Sequence, residues 1–219
     1  MNRIVNAARL DLYSAKSSMR IIIITYVIPI IIGAATKRVL MAAGLLMIFA
    51  VFLGGSVFAV NERTRSDRLY GILPLRKSEV VLGRYLYVVI LGVGNLMIAG
   101  ILAYVLSLIF HVGLDRFSFV GALSMSLVYY FFAAGVSYPI YFKFGFAKAY
   151  VFTAVPLYLI MIAVFVLMNK FNFAGNIINA LQFFMNHQAL APIFSILIAA
   201  VFLVVSAWIS NFIYRTKEI

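Results

Sequence analysis

Charged residues divide this chain into six long uncharged stretches, 21–36, 39–61, 85–114, 117–142, 149–169 and 171–214. A helix rises about 1.5 Å per residue, so roughly 20 apolar residues cross the ~30 Å hydrocarbon core of a bilayer. A Lys or Arg at the centre of a span costs about 2.5–3.5 kcal/mol, so the charges mark where the chain leaves lipid. Backbone groups left unpaired are not tolerated in lipid, which leaves helices or closed barrel strands. Barrel strands alternate apolar and polar residues over about 10 positions. Segments 21–24 and 45–53 are continuously apolar, so helices are expected.

The pattern predicts an all-α, single transmembrane domain over 1–219, with spans at 19–36, 39–60, 85–110, 117–142, 149–168 and 190–213. The first is short, and Arg20 and Lys37 would reach outward to extend it. Pro29 would kink it. Pro156 lies inside the fifth span, and Pro192 sits in the first turn of the sixth, where proline is tolerated. Ahead of the spans, Val5, Ala8, Leu12, Ala15 and Met19 recur at steps of three and four. This stripe predicts an amphipathic helix over 1–18, resting on the membrane surface. A cleaved signal peptide ending near Gly33-Ala34-Ala35 is the weaker alternative, because its basic region would be too long. Between spans five and six, the connector 169–188 contains an amphipathic stretch at 174–186, with Ile177, Ile178, Leu181, Phe184 and Met185 on one face.

Composition agrees with this reading. Of 219 residues, 65% are hydrophobic and 11% charged, against about 25% charged in soluble domains. The net charge of +12 would suggest nucleic acid in a soluble protein, but here it maps onto topology. With the N-terminus inside, the segments 1–20, 61–84, 143–148 and 214–219 hold fourteen of the eighteen Lys and Arg. That bias orients both termini toward the cytoplasm, and no nucleic-acid partner is expected. Cysteine is absent, which excludes disulfides and thiolate chemistry.

The candidate chemistry is sparse. Spans two to six carry no acidic residue in their interiors, whereas ion-coupled transporters usually need one. There is no G-x-x-x-x-G-K-[ST] loop and no H-E-x-x-H motif, so no catalytic, cofactor or metal residues are assigned. His111 and His187 read as interfacial polar residues. Ser137, in Gly135-Val-Ser-Tyr-Pro139, lacks the spacing of a nucleophile turn and reads as packing. Ala50, Gly54, Gly55 and Ala59 would let another helix approach closely, as a dimer seam or as packing within one bundle. Tyr141, Phe142, Phe144, Phe146 and Tyr150 read as an interfacial aromatic belt.

The inner segment 61–84 holds three of the six acids. Glu62, Arg65, Asp67 and Arg68 form a charged front, and Leu69, Tyr70, Ile72 and Leu73 an apolar back. Pro74 breaks this helix. Ser78 is the expected cap of the next one, with Glu79 near its positive end. Two readings stay open on these residues: a docking helix for a partner, or a basic loop that only sets topology.

The stretch Asn61-Glu62, followed by Leu69-Tyr70-Gly-Ile-Leu73-Pro74-Leu75-Arg76-Lys77-Ser-Glu79-Val-Val-Leu-Gly-Arg84-Tyr85, resembles small bacterial permeases of the type-2 ABC exporter family. The six-span outline and the amphipathic N-terminus match as well, although the large extracellular domains of some relatives are absent. The resemblance implies that Glu62, Arg65, Asp67, Arg68, Leu69, Tyr70, Leu73, Pro74, Leu75, Arg76, Lys77 and Glu79 contact an ATPase subunit. It implies two such subunits holding ATP and Mg, a second permease, identical or homologous, and a bacterial cytoplasmic-membrane location. Some look-alikes expel antimicrobial or cytolytic peptides, so an amphipathic cargo is expected. The competing expectation is a six-span sensor, immunity or assembly module with no ATPase.

Overall fold

Apolar runs that cannot leave backbone groups unpaired in lipid fold here as long helices. A computed structural model of the chain describes residues 3–15, 19–64, 76–149 and 190–216. They form α1 (Arg3–Ala15), α2 (Met19–Thr36), α3 (Val39–Thr64), α4 (Lys77–Phe110), α5 (Arg116–Phe144) and α6 (Leu190–Thr216). Among the described residues, four helices are long and apolar enough to cross a membrane: Val39–Thr64, Lys77–Phe110, Ser118–Phe144 and Ile196–Thr216. Ile22–Thr36 is a shorter apolar helix. The expected fifth span at 149–168 and the connector 169–188 lie outside the described residues, Ala149 apart.

Helix ends differ from the predicted span ends in an instructive way. Span two was expected to stop at 60, but α3 runs on to Thr64. Span three was expected to start at 85, but α4 starts at Lys77 and is 34 residues long. Hydrophobicity locates the lipid, whereas a helix continues until its backbone is capped. At about 1.5 Å per residue α4 reaches roughly 51 Å, well beyond the hydrocarbon core. Ser78 is not its cap. The N-cap position is Arg76, whose N–H donates to Glu79 Oε2 at 2.8 Å. α5 is capped by Asp115, whose Oδ2 accepts from Ser118 N at 3.0 Å. The exposed His111 closes α4 in a left-handed conformation, φ 52°.

Contacts give the helix directions. Phe58 meets Arg84 near one end and Val39 packs with Leu106 near the other, so α3 and α4 are antiparallel. Tyr26 pairs with Asn95 and Gly33 with Leu106, so α2 runs parallel to α4. Phe132 meets Phe202, Gly135 meets Ser206 and Phe142 meets Tyr214. Both numbers rise together, so α5 and α6 run in the same direction. One end of the bundle therefore gathers Arg63, Arg76, Lys77, Lys143, Lys148 and Arg215 and is called here the basic end.

Interhelical hydrogen bonds come largely from tyrosines. Tyr138 Oη donates to Gly54 O at 2.9 Å, and Tyr130 Oη to Val88 O at 3.1 Å. Tyr85 Oη lies 2.6 Å from Ser206 Oγ and 2.8 Å from Ser210 Oγ. Such bonds average about 0.6 kcal/mol between membrane helices, so they fix register more than they supply stability. The small residues of α3 serve the same interface. Ala50, Gly54 and Gly55 are buried, and a Cβ at Gly54 would lie 3.4 Å from Tyr138 Oη.

Two expected surfaces differ. In α1, Val5 and Leu12 of the predicted apolar stripe are exposed, while Ala7, Ala8 and Asp11 are buried. The helix packs its small residues on α4 at Gly83, where an added Cβ would lie 2.6 Å from Ala7 Cβ. Close approach of backbones decides the buried face here, because Ala and Gly admit contacts that Leu does not. In the expected aromatic belt, Tyr141 and Phe142 are buried in the bundle and Phe144 is exposed. The outward faces stay apolar: Trp208 is 73% exposed and Phe212 70%, a surface that needs lipid or protein against it.

Candidate functional site

The chemistry-bearing residues converge at the basic end, where α3 stops and α4 begins. Of the twelve contact residues expected from sequence, Glu62, Arg76, Lys77 and Glu79 are described. Arg65, Asp67, Arg68, Leu69, Tyr70, Leu73, Pro74 and Leu75 lie outside the described residues.

Glu62 stands on the last turn of α3. α5 ends at Phe144, and Gly145 takes φ 79°, a left-handed value open to glycine without a Cβ penalty. The chain then enters a helical turn at 146–149. Ala147 N–H, one of the donors that such a start leaves unpaired, donates to Glu62 Oε2 at 2.9 Å. A carboxylate is favoured there by the positive helix end. A Cβ on Gly145 would sit 3.6 Å from Glu62 Oε1, an ordinary contact, so it is the backbone φ and not space that asks for glycine here.

The other flank is tied to α6. Lys77 Nζ lies 3.4 Å from Arg215 O, in the last turn of α6. A cation is favoured at that negative end. Both ends of segment 65–75 are therefore anchored: Glu62 to the turn after α5, and Lys77 to the end of α6.

Behind these anchors lies a residue the sequence reading passed over. In the sequence, Arg84 stands out only within the stretch that carries the family resemblance. It is 3% exposed, with its guanidinium 4.3 Å from the Phe58 ring centre and 5.1 Å from that of Phe142. Such cation–π contacts contribute about 2 kcal/mol or more when desolvated. The signal was present: Val80, Val81, Tyr87 and Val88 stand three or four residues away, so Arg84 shares the apolar stripe of a helix that starts at Lys77. Arg84, Asn61, Glu62, Phe58, Tyr141 and Tyr214 help to line a cavity of about 250 Å³.

Elsewhere, Ser137 is 2% exposed inside the bundle. Among the described residues, no three His, Asp or Glu side chains gather as a metal site. Residues 9–215 match the family described as ABC-2 family transporter protein, which is nearly the whole chain. No curated protein matches it.

Proposed function

The chain belongs to the ABC-2 transporter family as a multi-pass permease component of an ABC transporter, and on that premise we propose that it is the membrane half of an exporter driven by separate ATPase subunits. The observation that carries this reading is the double anchoring of segment 65–75. Its two flanks hold α5 through Glu62 and α6 through Lys77. A partner that binds ATP and Mg and pushes on this segment would move both helices together. Two permeases and two ATPases would then rock between inward- and outward-open packings, a switch between discrete packed states.

In this reading the basic end faces the cytoplasm of a bacterial cell, as the distribution of Lys and Arg favours. We count six crossings. The shared direction of α5 and α6 supports this count. The cargo is an amphipathic or peptide-like molecule, moved outward. The second permease, identical or homologous, would cover apolar surface such as that around Trp208 and Phe212.

Mild-detergent purification of the tagged chain from its native cells, followed by mass spectrometry, tests the reading. A stoichiometric Walker-type ATPase is expected. Replacing Glu62, Asp67 and Arg76 together should remove it while the chain still inserts in the membrane. Recovery of the chain alone, under conditions that preserve other membrane complexes, would overturn the exporter reading in favour of a stand-alone module.

A further inference from the structure

The cavity at the basic end has features that the coupling of an ATPase does not use. Asn61 is 4% exposed, and its Nδ2 has no hydrogen-bond partner. A buried amide left unpaired is costly, and an acceptor placed in the cavity would remove that cost. Arg84, 3% exposed, brings a positive charge into the same space. Phe58 and Phe142 hold its guanidinium, so the charge stays in the bundle. A guanidinium presents a planar fork of donors that fits phosphate oxygens.

We propose that this cavity binds the phosphate of an anionic phospholipid headgroup, with Arg84 and Asn61 as its donors. The volume of about 250 Å³ is smaller than the roughly 300–1,000 Å³ of sites that enclose a drug-sized molecule. It suits a headgroup whose acyl chains stay outside. Phe144, on the lining and 54% exposed, gives those chains an apolar surface at the rim. The exposed Glu62 also lines the cavity, with Oε2 engaged by Ala147 N–H. Its negative charge repels a doubly charged free phosphate more strongly than the singly charged phosphodiester of a lipid. The surrounding Lys77, Lys143 and Arg215 draw anionic lipid to this end. The site goes beyond the exporter reading and does not depend on an ATPase.

The test uses the purified full chain in phosphatidylcholine nanodiscs, titrated with phosphatidylglycerol or with inorganic phosphate. Thermal unfolding and native mass spectrometry are the readouts. Phosphatidylglycerol is expected to stay bound and to raise the midpoint by several degrees, while inorganic phosphate does neither. Asn61→Asp, which puts a carboxylate on the lining that Arg84 shares, should weaken lipid binding at least tenfold. Asn61→Leu keeps the volume without donor or charge and should also weaken binding, so the test survives if the Asp variant fails to fold. Lys143→Gln, outside the cavity, removes only one of the attracting surface charges and should weaken binding by no more than about fivefold. Equal losses in the Asn61 and Lys143 variants would mean surface attraction only and overturn the site. Phosphate binding as tight as the lipid would overturn the lipid assignment, and no response to either probe would overturn both.

Discussion

Glu62 combines two roles that one substitution series separates. Its carboxylate accepts from Ala147 N–H, and it belongs to the set of residues proposed to meet the ATPase. Glu62→Gln keeps an acceptor oxygen, so the turn after α5 stays capped and the unfolding midpoint should move little. Glu62→Ala removes the cap and should cost about 1 kcal/mol, the usual scale for such a deletion. Glu62→Lys should separate ATP hydrolysis from transport without loss of membrane insertion. Assays of unfolding, ATPase activity and transport on the reconstituted complex check all three. Normal transport by Glu62→Lys would remove this residue from the coupling path.

Among the elements, α1 is the one whose placement departs most from its sequence pattern. A stripe drawn through Val5, Ala8 and Leu12 predicts one face, yet Ala7, Ala8 and Asp11 are the buried residues. The cause is Gly83, which lets α1 lie directly on the α4 backbone: an added Cβ would stand 3.3 Å from Ala8 N and from Ile4 O. Gly83→Leu should therefore lift α1 off the bundle. Trypsin should then cut at Arg9 on the order of tenfold faster, because local opening governs such cleavage. Gly94→Ala, where nothing lies within 4 Å of the new Cβ, should leave the rate unchanged. An unchanged rate in Gly83→Leu would mean that α1 is held by other contacts.

For the whole molecule, the natural absence of cysteine makes topology directly measurable. Single cysteines at Arg38 and Gly113 should react with an impermeant maleimide added outside intact cells. Cysteines at Lys77 and Lys143 should react only after the cells are opened. α3, α4 and α5 alternate in direction, so these four sites divide two and two across the membrane. Labelling of Lys77→Cys from outside would reverse the orientation proposed from the basic residues, and with it the side on which an ATPase could act.

The sequence by itself determined that this chain lives in lipid, because long uncharged runs have no other solvent that suits them. It also located α2 to α6, since burying charge in hydrocarbon is costly, although at the basic end α3 and α4 run four and eight residues past the expected spans. Segment 61–84 stood out because charged, apolar and proline positions occur there in an order that lipid does not require. Which residues of that segment are anchored was decided by the fold. Glu62 meets Ala147 across 85 positions and Lys77 meets Arg215 across 138, and no local pattern encodes such pairings. Only packing turned Tyr141 and Phe142 from a membrane belt into the walls of a cavity, and only packing put Arg84 inside it. Periodicity shows which side chains share a face, but the neighbour that covers a face is set by how closely the backbones can approach.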